Sequence, residues 1–116
     1  MKNKRQQKRV RITGTAILTF KNKGEIQIMQ TMITDVSLKG IGLYCNVPIE
    51  PGTTVSLTIH FMSIDGKRTD NIEGQVISHQ TIQGVCFMGI QFNEEITPKE
   101  QPLLYNHIQK SLTWYN

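Results

Sequence analysis

Arg5 and Arg9 stand four positions apart in the stretch Arg5-Gln6-Gln7-Lys8-Arg9. An extended backbone sets their Cα atoms about 13 Å apart, enough to straddle a nucleotide. A single helical turn points both side chains the same way. The planar guanidinium fork matches phosphate oxygens and the O6/N7 edge of guanine. A second group is Asp35-Val36-Ser37-Leu38-Lys39-Gly40, followed by Ile41-Gly42-Leu43. A turn accounts for these residues: Asp35 and Ser37 bond their own backbone and Gly40 supplies a positive φ. A carboxylate and a hydroxyl at a strand end are also hydrogen-bond acceptors. Guanine's Watson–Crick edge offers N1–H and N2–H to such a carboxylate, and adenine's edge lacks that pair of donors. Each group has a plain alternative, since any basic tail makes an RxxxR and any tight turn takes aspartate, serine and glycine.

Other chemistries find no residues to carry them. His60, His79 and His107 share no metal-ligand spacing and read as structural. No nucleophile elbow, P-loop, HExxH or paired-carboxylate pattern is present. Glu94-Glu95 is a short charged turn. The expectation is a protein that is not an enzyme and holds neither metal nor cofactor. Cys45 and Cys86 lie in apolar stretches, outside any CxxC pair and away from histidine. They read as buried, reduced thiols, which fits a cytoplasmic protein.

Charge is concentrated at one end. Residues 1–11 hold six bases (Lys2, Lys4, Arg5, Lys8, Arg9 and Arg11) and no acid, whereas the remaining chain carries seven bases and nine acids. The net charge of +4 is thus a property of the arm. Such an arm fits an anionic partner or a solvated, disordered terminus.

The elements that must position these residues are mostly strands. The 116 residues set the length of one domain. Val10, Ile12, Ala16, Leu18 and Phe20 fall on one face of an alternating run. Val55, Leu57, Ile59 and Phe61 repeat the pattern, and further strands are expected at 26–34, 41–45, 72–79 and 85–92. Asn22-Lys23-Gly24, Pro51-Gly52 and Asp65-Gly66 mark tight turns between them. Six short strands in so small a chain should close on themselves, because a flat sheet leaves one face and two edges exposed. Thr97-Pro98-Lys99-Glu100 is a capping box, and Leu104, Ile108 and Leu112 form one helical stripe, within which Pro102 implies either a kink or a start one turn later. The reading is an all-β, six-stranded antiparallel barrel over residues 10–116, with a helix at about 98–113 and a basic arm at 1–9. The longest apolar run, residues 84–90, is far short of the roughly 18 residues of a membrane span. Residues 10–20 alternate with polar positions, unlike a signal peptide.

In this order and spacing, the motifs resemble the PilZ domain family. RxxxR precedes the first strand, D/N-x-S-x-x-G lies between strands two and three, and Gly89-Ile90-Gln91-Phe92 is similar to the family's Gly-x-x-Phe ending. The resemblance implies a bacterial receptor for the second messenger cyclic di-GMP, active in motility or biofilm control. It places guanine and phosphate contacts on Arg5 and Arg9, a guanine receptor on Asp35, Ser37 and Gly40, and a further ligand-binding position on Gly89. Lys4 precedes the first arginine, at the position that influences in this family whether one ligand or a stacked pair binds; it leaves the stoichiometry open. With no output domain in view, the implied signal passes to a partner protein of flagellar, pilus, chemotaxis or polysaccharide machinery. The rival readings are a ligand-free adaptor in pilus or motility machinery and a basic barrel that binds nucleic acid. The last needs exposed aromatics for stacking, and the chain has only eight aromatic residues, several on apolar faces.

Overall fold

The computed structural model describes residues 8–115. It holds β1 (Gly14–Asn22), β2 (Glu25–Val36), β3 (Gly40–Cys45), β4 (Thr54–Ser63), β5 (Gly66–Ile82), β6 (Val85–Phe92) and α1 (Pro102–Tyr115). All strand pairs are antiparallel, and the sheet closes as a barrel in the order β1-β2-β3-β6-β5-β4. The 17-residue β5 spans the closure: its first part pairs with β4 and its last part with β6. Two hairpins turn through consecutive positive φ values, Lys23–Gly24 (54° and 84°) and Gln83–Gly84 (52° and 83°). That geometry matches the twist of the flanking strands.

Period-two patterning fills the interior. Leu18, Ile41, Leu43, Leu57, Ile59 and Ile90 are almost wholly buried. β1 starts at Gly14, later than the alternation from Val10 implies. Val10 instead makes a two-way backbone bridge with Val36, at 2.8 and 2.9 Å. The segment before β1 therefore runs beside the end of β2. Val10 and Ile12 are buried and anchor it, which leaves Arg9 and Arg11 exposed.

The C-terminal helix begins at Pro102, not near residue 98. Thr97 closes a separate turn: its Oγ1 accepts from Glu100 N at 3.1 Å, and its carbonyl accepts from Gln101 N at 3.0 Å. Proline fits the first helical position because an N–H there has no helical acceptor. Asp70 of β5 then accepts from Leu104 N at 2.7 Å and so satisfies the helix start from another element. Burial raises the Asp70 carboxyl above its ordinary pKa, opposed by the backbone N–H groups of Leu104 and Leu103. Leu104 and Ile108 are fully buried, and His107 lies against Phe61 with ring centroids 5.3 Å apart. Burial, then the charge of Lys110, holds the His107 imidazole below its ordinary pKa.

The cysteines correct the reading of free thiols. Cys45 and Cys86 are Cα partners at the end of the β3–β6 ladder and are joined as a disulfide. A separation of 41 residues hides this pairing in the sequence; only the strand register reveals it. Among the described residues, no helix is long and apolar enough to cross a membrane.

Candidate functional site

Two bulges at one level of the barrel prepare a site on its outer surface. The register between β2 and β3 shifts between Ile33 and Asp35. Ile33 and Val36 remain buried, while Thr34 and Asp35 between them are half-buried and line the outer recesses. Asp35 is the Cα partner of Gly42. A Cβ on Gly42 would stand 2.7 Å from both Asp35 Oδ1 and Thr34 Oγ1. Only glycine lets those two side chains fold over the strand. The register between β5 and β6 shifts in the same way, between Val76 and Ser78, and Ser78 is paired with Gly89. A Cβ on Gly89 would lie 3.0 Å from Ser78 Oγ. Gly42 and Gly89 are themselves partners across β3 and β6. Bulges re-aim side chains in this manner beside binding sites.

The floor thus formed carries a recess of about 240 Å³, lined by Asp35, Gly42, Gly89, Ser78, His79 and Phe87 among others. Thr34 and Asp35 form a ridge. On its far side is a second recess of about 390 Å³, lined by Arg9, Arg11, Thr34, Asp35 and Tyr44. Tyr44 and Phe87 are partners on β3 and β6, two residues beyond the glycines, with ring centroids 5.0 Å apart.

Arg9 reaches the ridge. Its Nη1 lies 3.1 Å from Asp35 Oδ1, and Thr34 Oγ1 donates to the same oxygen at 3.4 Å. The Arg9 side chain is 54% exposed and that of Asp35 35%. An ion pair this open contributes about 0.2–1 kcal/mol. Arg5 lies outside the described residues.

Ser37 and Gly40 are placed differently from Asp35. Both are buried. Ser37 Oγ accepts from Gly40 N at 3.2 Å and from Lys39 N at 3.3 Å, and donates to Gly40 O at 3.4 Å. Its hydroxyl is spent on the β2–β3 turn. Gly40 does not adopt the positive φ expected of it. Its requirement is close approach: a Cβ there would lie 2.6 Å from the Ile90 carbonyl oxygen.

A family model for the PilZ domain matches residues 3–110. The chain belongs to the PilZ domain family. Solved PilZ structures share the fold. Bacillus subtilis MotI/DgrA, an inhibitor of motility, superposes with a TM-score of 0.73 at 17% identity, covering 96% of this chain and 53% of that one. The PilZ domain of Escherichia coli YcgR, solved with c-di-GMP, gives 0.63 at 18% identity, covering 97% and 95%. The K. pneumonia MrkH–c-di-GMP complex gives 0.60 at 17% identity, covering 96% and 52%. The chain spans about half the length of the MotI/DgrA and MrkH chains. A search of curated protein sequences finds no significant match.

In this PilZ domain the structure brings Arg9, Asp35 and Gly89 to one surface, with Ser37 and Gly40 beneath its edge. Sequence reasoning missed Thr34, Ser78, His79, Tyr44 and Phe87, and gave Gly42 no role. The glycines carried a usable signal, because Gly40 and Gly42 alternate along β3 and so interrupt one face of it. The bulges carried none. Among the described residues, no group of three or more His, Cys, Asp or Glu is placed to hold a metal.

Proposed function

We propose that this chain is a cyclic di-GMP receptor that relays the bound state to a protein partner, and that it is not an enzyme. The observation that carries this is the meeting of Arg9 and Asp35, 26 residues apart, beside the recess floored by Gly42 and Gly89. Arginine supplies donors to phosphate oxygens and to guanine O6/N7, while the carboxylate accepts from guanine N1–H and N2–H. Arg5 adds a second fork from the arm. Ser37 and Gly40 act by shaping the turn beside Asp35, and Gly89 by leaving room above β6. The ligand's two phosphates neutralise part of the basic charge carried by the arm, and the neutralised face with its bound ligand is the surface a partner reads. The family fold and the c-di-GMP complexes of YcgR and MrkH support this reading. The role of MotI/DgrA makes motility machinery the leading partner class. The cytoplasm is the compartment proposed for it. That rests on the ligand, since the disulfide removes the argument from free thiols.

Calorimetric titration tests the reading. Cyclic di-GMP should bind at micromolar affinity or tighter, and cyclic di-AMP distinctly more weakly. Equal affinities would show that charge alone drives binding. Binding of neither, with no binding of oligonucleotides, leaves the ligand-free adaptor. Saturable, sequence-independent binding of oligonucleotides alone leaves the nucleic-acid reading.

A further inference from the structure

The recess on the arm side of the Thr34–Asp35 ridge has a cation and an aromatic face that neither motif contains. Arg11 follows the RxxxR stretch by two positions and shares the exposed side of the anchored segment with Arg9, because Val10 and Ile12 between and after them are buried. Among the described residues, the only ion pair is Arg9–Asp35, so Arg11 keeps its charge uncompensated. Tyr44 is 42% exposed, so part of its ring is open to a stacking partner. Its contact with Phe87 buttresses it from the β6 side, and the cross-strand disulfide follows immediately at Cys45–Cys86. A braced, half-open ring beside a free guanidinium combines the two groups that hold a nucleotide without reading its sequence: a stacking platform and a phosphate contact.

We propose that Arg11 and Tyr44 form a second base-and-phosphate subsite, distinct from the Asp35–Gly42–Gly89 recess. This rests on the functional reading above. One base of the dinucleotide occupies the glycine-floored recess and is read by Asp35. The other crosses the ridge and stacks on Tyr44, with its phosphate against Arg11. The subsite contributes to dinucleotide affinity and discriminates a two-base ligand from a mononucleotide. Met32, the β2 partner of Tyr44 and 62% exposed, extends the apolar surface beside the ring.

The test compares cyclic di-GMP with guanosine monophosphate on the full chain, using calorimetry for the first and NMR titration at millimolar concentration for the second. The variants are Arg11→Gln, Tyr44→Ala and the pair together, with melting curves to confirm folding. Tyr44→Phe serves as the conservative control and retains the platform. The expected result is a loss of cyclic di-GMP affinity of about tenfold for each single variant and more for the pair. Guanosine monophosphate affinity stays unchanged, and Tyr44→Phe stays near wild type. Unchanged cyclic di-GMP affinity overturns the subsite. Equal losses for both ligands also overturn it, because they place Arg11 and Tyr44 in a single shared recess or in the framework. If the wild-type chain binds no cyclic di-GMP, the functional reading itself falls and the subsite with it.

Discussion

Arg9 Nη1 and Asp35 Oδ1 stand 3.1 Å apart and join the two sequence motifs across the bridge between Val10 and Val36. The bridge, not the ion pair, anchors this corner. Each backbone partner donates once and accepts once, and both side chains are buried. The ion pair is exposed and contributes little to stability. Arg9→Ala should therefore leave the melting temperature within a degree or two of wild type. Cyclic di-GMP affinity should fall roughly 30- to 1000-fold, the loss of about 2–4 kcal/mol that two charge-assisted bonds supply. A large fall in melting temperature would make Arg9 a structural residue.

Three glycines on two strands separate framework from floor. A Cβ on Gly40 meets the Ile90 carbonyl, a backbone atom that cannot move without opening the β3–β6 ladder. Gly40→Ala should destabilise the fold by about 1–3 kcal/mol. A Cβ on Gly42 meets only the side-chain oxygens of Thr34 and Asp35, which can rotate away. Gly42→Ala should cost less stability but displace Asp35 and weaken binding at least tenfold. A Cβ on Gly89 meets Ser78 Oγ at 3.0 Å and, at ordinary contact distance, Ile77 Cγ1 at 3.7 Å, so Gly89→Ala should be the mildest in melting while still narrowing the recess. Melting curves and titrations of the three variants give the ranking, and equal stability losses for Gly40 and Gly42 would contradict it.

Much of this architecture is legible in the residues. Alternation at 55–61 and glycine-marked turns reveal strands because burial on one face has a period of two. What escapes is whatever depends on register. Thr34 reaches the outer surface through a bulge, and Cys45 meets Cys86 because β3 runs beside β6. At the helix start Pro102 leaves two readings open, a kink or a start one turn later, and what decides between them is remote: the orphan N–H of Leu104 is satisfied by Asp70, 34 residues away, so the local capping box at Thr97 marks only a turn. Within the site, Asp35 is readable from its motif. Ser78 is not, since nothing in its neighbours announces that it will oppose Gly89.

Asp70 makes stability depend on pH through the helix start. Its folded carboxyl is raised above the ordinary value of 3.8, chiefly by burial. The folded state therefore holds this proton more tightly than the unfolded chain. The associated stability is fully present below the ordinary value and is lost as pH rises through the raised folded value. Asp70→Asn removes the titration and keeps an oxygen for Leu104 N. Its melting temperature relative to wild type should rise with pH across that window and then level off. Asp70→Ala removes the acceptor and should lose about 0.5–2 kcal/mol at neutral pH. Parallel pH profiles for wild type and Asp70→Asn would show that Asp70 has no raised pKa.

The Cys45–Cys86 disulfide closes a 41-residue separation and should be measurable both as a mass difference and as a stability difference. Protein prepared without reductant should be lighter by two hydrogens than the reduced chain. Restricting the unfolded chain over a loop of this length stabilises the fold by about 2–4 kcal/mol. Reduction should lower the melting temperature by several degrees, and a Cys45→Ser variant should melt at the reduced value with or without reductant. Ligand binding should respond far less. The Gly42–Gly89 pair is held in place by ladder pairs on both sides, Ile41–Ile90 and Leu43–Met88, which should persist when the link at the end of the ladder is cut. Tyr44 and Phe87 sit directly beside that link, so any change in affinity on reduction should be small and confined to the aromatic side of the site. Coincident melting of oxidised and reduced protein would show that the strand pairing alone holds this end of the barrel.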